Sequence, residues 1–145
     1  MPVTYRILPQ RNLVIVTLSG HVDVAEARAS FLEFAADPRK APGQNHLCDL
    51  SGVTGWDLDY VDNMALQAQV ADAVVTDGEE RLLVILAPRD ELRPLASVID
   101  KSWTGLGPVI PVICRGEAEA MHILGQPEKS LAALPPDRDR VQPRR

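Results

Sequence analysis

The sequence predicts an α/β domain: a five-stranded, mostly parallel mixed sheet with an antiparallel first strand and four helices. Three observations predict it. Short β-branched apolar runs alternate along the chain with stretches whose apolar residues recur at helical spacing. The first two runs are separated only by a turn. Every later pair is separated by a helical stretch, which implies right-handed crossovers between parallel strands.

Residues 3–8 form the first strand, and Pro9-Gln10-Arg11-Asn12 is a turn by composition. Leu13-Val14-Ile15-Val16-Thr17-Leu18 is apolar on both faces, which fits a central strand. Ser19-Gly20 is expected to end it. Asp23 caps the first helix, with Glu26 three residues later. Val24, Ala27, Phe31, Phe34 and Ala35 form its inward stripe, while Glu26, Arg28, Ser30 and Glu33 face water. Pro38 and Gly43 bracket the following loop.

Residues 46–50 are the third strand, followed by a short loop. Asp59 caps a second helix over 59–76, whose apolar face is widened by Leu66, Val70 and Val74. Residues 82–87 form the most apolar strand. A third helix places Leu92, Leu95, Ala96, Ile99 and Trp103 on one side. It must begin close to Pro94, because an interior proline costs about 3 kcal/mol. Residues 109–114 form the fifth strand, and Pro111 argues for an edge position. Ala118, Met121, Ile123 and Leu124 mark a short last helix ending at Gly125.

A chain of 145 residues fits one domain, placed at 1–125, with a polar, proline-bearing, flexible tail over 126–145. Residues 1–124 carry 10 Lys/Arg and 17 Asp/Glu, a net −7, while 125–145 carry 5 and 3, a net +2. An acidic body argues against a general nucleic-acid surface. No run approaches the roughly 18 apolar residues of a membrane span. Cys48 and Cys114 lie in apolar strand patterns and read as buried, reduced side chains. With no secretion signal in the first residues, a cytoplasmic location is expected.

Three segments resemble the SpoIIAA-like (STAS) family of anti-sigma-factor antagonists. They are residues 13–20 followed at once by a helix, Leu47-Cys48-Asp49-Leu50-Ser51 before the second helix, and 113–125 with its Glu119-Ala120-Met121-His122-Ile123-Leu124-Gly125 ending. The resemblance implies the SpoIIAA-like (STAS) fold over residues 3–125. It is strongest toward bacterial single-domain STAS-like proteins of undefined role. It also implies a regulatory surface at the start of the second helix, where the family carries its phosphoserine. Asp57 matches the acid before that serine, Leu58 falls at the phosphoacceptor, and Asp59 falls at the following serine. Leu58 has no hydroxyl to accept phosphate. Asp59 is either a plain N-cap or a permanent charge on a surface that has lost phosphorylation control. Ser51 and Thr54 are nearby hydroxyls, with loop hydrogen bonding as the ordinary reading of Ser51.

No phosphate-cradling glycine motif, nucleophile elbow or metal-ligand spacing is present, so no catalytic residue, cofactor or metal is assigned. His21, Asp49, Asp57 and Asp59 would gather near the carboxyl ends of the second and third strands, where open α/β sheets place ligands. Asp49 and Asp57 more commonly bond loop backbone. Trp103 reads as core. Trp56 would cover the sheet end, line a pocket or anchor a partner. The leading expectation is a non-enzymatic regulatory or protein-interaction module using Trp56, Asp57, Asp59, Ser51, Asp49 and His21. The alternative is a carrier of a small apolar, lipid-like ligand held between sheet and helices, since the apolar surface exceeds one sheet's needs. An enzyme of unknown reaction ranks third. Homodimerisation through Met64, Leu66, Val70 and Val74 would use the same surplus.

Overall fold

The computed structural model describes residues 2–57, 65, 66, 68, 79–103 and 108–135. Strands β1 (Val3–Leu8), β2 (Leu13–Asp23), β3 (Asn45–Asp57), β4 (Arg81–Leu86) and β5 (Val109–Cys114) form one sheet in the order β1-β2-β3-β4-β5. β1 is antiparallel to β2, from Val3↔Leu18 to Leu8↔Leu13, and the remaining pairs are parallel. The hairpin turns through Pro9–Arg11 and then Asn12, whose φ of +53° lies in the left-handed region that Asn tolerates. Pro111 sits on the edge strand β5, where no second neighbour needs its missing N–H.

Strand alternation divides the core in two. Val16, Cys48, Leu50, Leu83 and Ile85 share the face covered by α1 (Val24–Ala35) and α2 (Arg93–Trp103). Leu13, Ile15, Leu47, Val84, Leu86 and Cys114 share the other. There α3 (Glu117–Ile123) sets Ala120 and Met121. The two cysteines thus lie on opposite faces of the sheet, both buried. Burial pushes the Cys48 thiol up to about 12 and the Cys114 thiol up to about 11. Asp23 caps α1 as the sequence requires, its Oδ1 accepting from the Glu26 N–H at 2.9 Å. Pro94 is the second residue of α2, within the first turn, where it displaces no helical bond.

Two expectations are corrected. Ser19-Gly20 does not end β2, and β3 does not stop at residue 50. The two strands stay paired to Asp23↔Asp57, forming a two-stranded ribbon that outruns the rest of the sheet. The glycines read as loop formers serve close approach and bending instead. A Cβ on Gly52 would lie 3.1 Å from the Ser19 Cβ, and one on Gly55 would lie 3.0 Å from the His21 Nδ1. Gly20, at φ +65°, adjoins one of two register shifts that let the ribbon continue. Second, Ser30 is buried against the sheet rather than facing water, while Leu32 is exposed. Three of the four expected helices lie wholly within the described residues. The helix predicted over 59–76 lies outside the described residues, apart from Ala65, Leu66 and Ala68, which are helical.

Past α3, the chain folds back over the first hairpin. Arg11 donates twice to the Glu128 carboxylate, at 2.7 and 2.8 Å, and once to Gln126. Arg6 donates to the Leu131 carbonyl, and Leu134 is buried beside Leu8 and Leu13. Among the described residues no helix is long and apolar enough to cross a membrane.

Candidate functional site: the β2–β3 ribbon and an apolar cavity

Among the described residues, the ribbon is held from one side by β2 and from the other by a single arginine. β4 pairs with β3 only as far as Asp49↔Leu86, so the carbonyls beyond would lack a strand partner on that side. Arg89, in the loop after β4, replaces one. Its guanidinium donates to the Ser51 and Val53 carbonyls at 2.5 and 2.6 Å, and its Nε donates to Glu91. Asp49 is buried and accepts from both the Ser51 N–H (3.0 Å) and the Ser51 hydroxyl (2.6 Å). Asp49 therefore does the backbone-bonding work that is the ordinary role for such a residue, and it engages the Ser51 hydroxyl.

Beyond this point the ribbon is exposed. His21 opposes Gly55, Val22 opposes Trp56 and Asp23 opposes Asp57. Val22 and Val53 are buried, while His21, Thr54 and Asp57 are exposed. Trp56 is half-buried, packed against the cluster that contains Val22, Val53 and Leu92. Its other side lines an open groove of about 530 Å³ shared with Thr54, Arg89 and Glu91. The structure thus brings His21, Trp56 and Asp57 to one end of the ribbon and holds Asp49 and Ser51 at its base. Asp59 lies outside the described residues, as do Met64, Val70 and Val74. Leu66 is buried and lines the cavity described next. No group of three or more metal-ligating side chains occurs among the described residues.

The second feature is a partly enclosed cavity of about 220 Å³ between the sheet and the helices on the α1/α2 face. Leu18 and Val22 line it toward the carboxyl end of β2, and Val16 lines it midway, between Tyr5 and Cys48 on the neighbouring strands. Its other end, at the starts of β3, β4 and β5, is aromatic and carries the polar groups. Tyr5 and Phe34 meet edge to face at 5.5 Å, and Phe34 meets His46 at 5.8 Å. Trp103, Ser30 and Arg81 complete that end. Burial, aided by the nearby Arg81 cation, lowers the His46 pKa to about 4, so its imidazole is neutral at pH 7. The Tyr5 hydroxyl points outward and donates to Asp37 at 2.9 Å. Two bonds from the Arg39 guanidinium hold the same carboxyl at about 2.

The sheet order, the leading hairpin and the helix placement find a counterpart among solved structures. An uncharacterised DUF3478-family protein from Shewanella loihica PV-4, described as having a SpoIIAA-like fold, superposes with a TM-score of 0.51 at 16% identity. The match covers 77% of this chain and 83% of that one. The fold is SpoIIAA-like. SpoIIAA itself also aligns. The unphosphorylated anti-sigma factor antagonist gives a TM-score of 0.48 at 14% identity, over 85% of this chain and 97% of that one. The phosphorylated Bacillus cell fate determinant gives 0.48 at 16% identity, over 84% and 98%. No protein-family model matches the sequence, and no curated protein does.

Within this SpoIIAA-like fold, sequence reasoning missed Arg89, Arg81 and His46. Arg89 had no signal in the sequence, because its role depends on β3 carrying on past β4. Arg81 is 5% exposed on an apolar strand. An arginine opening such a run is normally read as a solvated end.

Proposed function

We propose that this domain is a non-enzymatic regulatory or protein-interaction module whose contact surface is the end of the β2–β3 ribbon. The observation that supports this reading is the strand edge from Leu50 to Asp57, which outruns β4. Among the described residues, Arg89 alone donates to the carbonyls of that edge, at Ser51 and Val53. An extended segment of a partner can add to such an edge through its main chain, with side-chain pockets setting the choice of partner. Trp56 supplies the aromatic anchor in the adjoining groove. The net −7 of residues 1–124 makes a basic segment the fitting occupant. Leu58 cannot carry phosphate, so control by modification at that position is not part of this reading.

The test is retention of a protein partner from cell extract by the immobilised domain, repeated with Trp56→Ala and Asp57→Lys. Asp57→Lys should melt like the parent, Trp56→Ala should melt lower but stay folded at the assay temperature, and both should retain at least about tenfold less partner, as truncation of a hot-spot aromatic does. Equal retention by all three proteins would remove the ribbon from consideration.

A second reading is favoured by a different observation. The cavity between sheet and helices is lined almost wholly by apolar side chains, as a carrier of a small apolar ligand requires. Its test is a bound small molecule released on denaturing the purified protein.

A further inference from the structure

From the size and wall chemistry of the cavity we infer that it takes a small monocyclic or bicyclic aromatic molecule bearing one hydrogen-bonding group. This rests on the small-ligand reading above and names the class of ligand.

Size sets the first limit. The cavity measures about 220 Å³. A dry apolar cavity of roughly 150 Å³ accepts benzene. Scaling from that case leaves room for about nine heavy atoms, the size of indole or a substituted phenol. A long acyl chain does not fit.

The walls set the second. The aromatic end offers the edge-to-face series Tyr5, Phe34 and His46, with Trp103 nearby. Rings favour such offset and edge-on partners. The polar side chains lining this end are Ser30, His46 and the buried Arg81. A neutral imidazole presents one donor and one acceptor, which suits a ligand N–H or O–H. The opposite end, with Leu18 and Val22, offers no hydrogen-bonding side chain. A ligand therefore binds with its polar group toward His46 and its apolar edge toward β2's carboxyl end. A cationic ligand would meet the buried Arg81 guanidinium at this end and is disfavoured.

The experiment uses the full chain, with indole, benzene, octanoate and decane-saturated buffer as separate probes. Binding is followed by calorimetry and by backbone amide shifts. Indole should bind and move the amides of Val16, His46 and Leu83, leaving those of Thr54 to Asp57 in place. Val16→Phe fills the cavity and should abolish indole binding without loss of folded signal. Ala27→Leu fills it from the helix side and gives the same answer if Val16→Phe misfolds. His46→Leu should weaken indole by about tenfold and leave benzene binding unchanged. Octanoate or decane binding without indole would overturn the ligand class while leaving an apolar-ligand role standing. No binding by any probe, or indole shifts confined to the ribbon, would overturn both.

Discussion

His46 and Arg89 show how one side chain can determine a local outcome. His46 sits at the start of β3 with Phe34 against its ring and Arg81 nearby, and its pKa is lowered to about 4. In the unfolded chain it titrates near 6.5. Between those values the unfolded chain binds the proton and the folded one does not, so folding stability falls as pH drops from about 6.5 toward 4. A single such group gives a slope of up to about 1.4 kcal/mol per pH unit. Urea unfolding across that window should show the slope, and His46→Leu should remove its share. An identical slope in both proteins would mean the imidazole is protonated in the fold. Asp37 acts lower: its pKa is held down at about 2, so its contribution is lost only as pH falls from about 4 toward 2. Arg89→Met keeps the aliphatic stem and removes both donors to the ribbon. The Ser51 and Val53 carbonyls then depend on water, at an expected cost of about 1–3 kcal/mol. Faster amide exchange confined to 51–57 would locate the loss.

At the scale of elements, the sheet was legible and the ribbon was not. Strand positions followed from β-branched runs, the α1 start from Asp23 and Glu26, and the edge place of β5 from Pro111. These signals are local, and the structure uses each for its local reason. The ribbon depends on a partner strand. Gly52 and Gly55 look like loop residues until Ser19 and His21 are set beside them. No single-strand pattern reports that proximity. The same limit hid the cavity, because Tyr5, Phe34, His46 and Trp103 come from four different elements. The two ribbon glycines give unequal predictions. A Cβ at Gly52 meets both the Cβ and the backbone Cα of Ser19, at 3.1 and 3.5 Å, so Gly52→Ala must push the strands apart. We expect a loss of about 1–3 kcal/mol, the usual range for overpacking. A Cβ at Gly55 meets only the imidazole of exposed His21, which can swing aside. Gly55→Ala should stay within about 0.5 kcal/mol of the parent. Comparable losses for the two would show that the ribbon is not paired in this register.

The whole molecule is closed by a segment that composition assigns to a polar tail. Residues 126–134 cross from the end of α3 to the β1–β2 hairpin, the two most distant parts of the sequence that touch. Their polar groups are matched on the way. Arg11 grips Glu128 with two parallel bonds, and Glu117 accepts from the Leu131 N–H. The apolar return comes from Leu134, 5% exposed within the cluster of Leu8, Leu13, Cys114 and Leu124. Leu131 and Leu134, two leucines three apart after a charged, proline-bearing stretch, make too short a pattern to mark either as core. The burial of Leu134 makes a sharp prediction. Leu134→Ala removes a side chain from the α3 face of the core and should cost about 2–3 kcal/mol. The midpoint of urea unfolding should fall with little change in its slope, since the same surface is still exposed on unfolding. Arg11→Ala, which breaks a pair at the solvent boundary, should cost less and should lose its effect at high salt. A Leu134→Ala protein as stable as its parent would mean that this segment leaves the hairpin uncovered in solution.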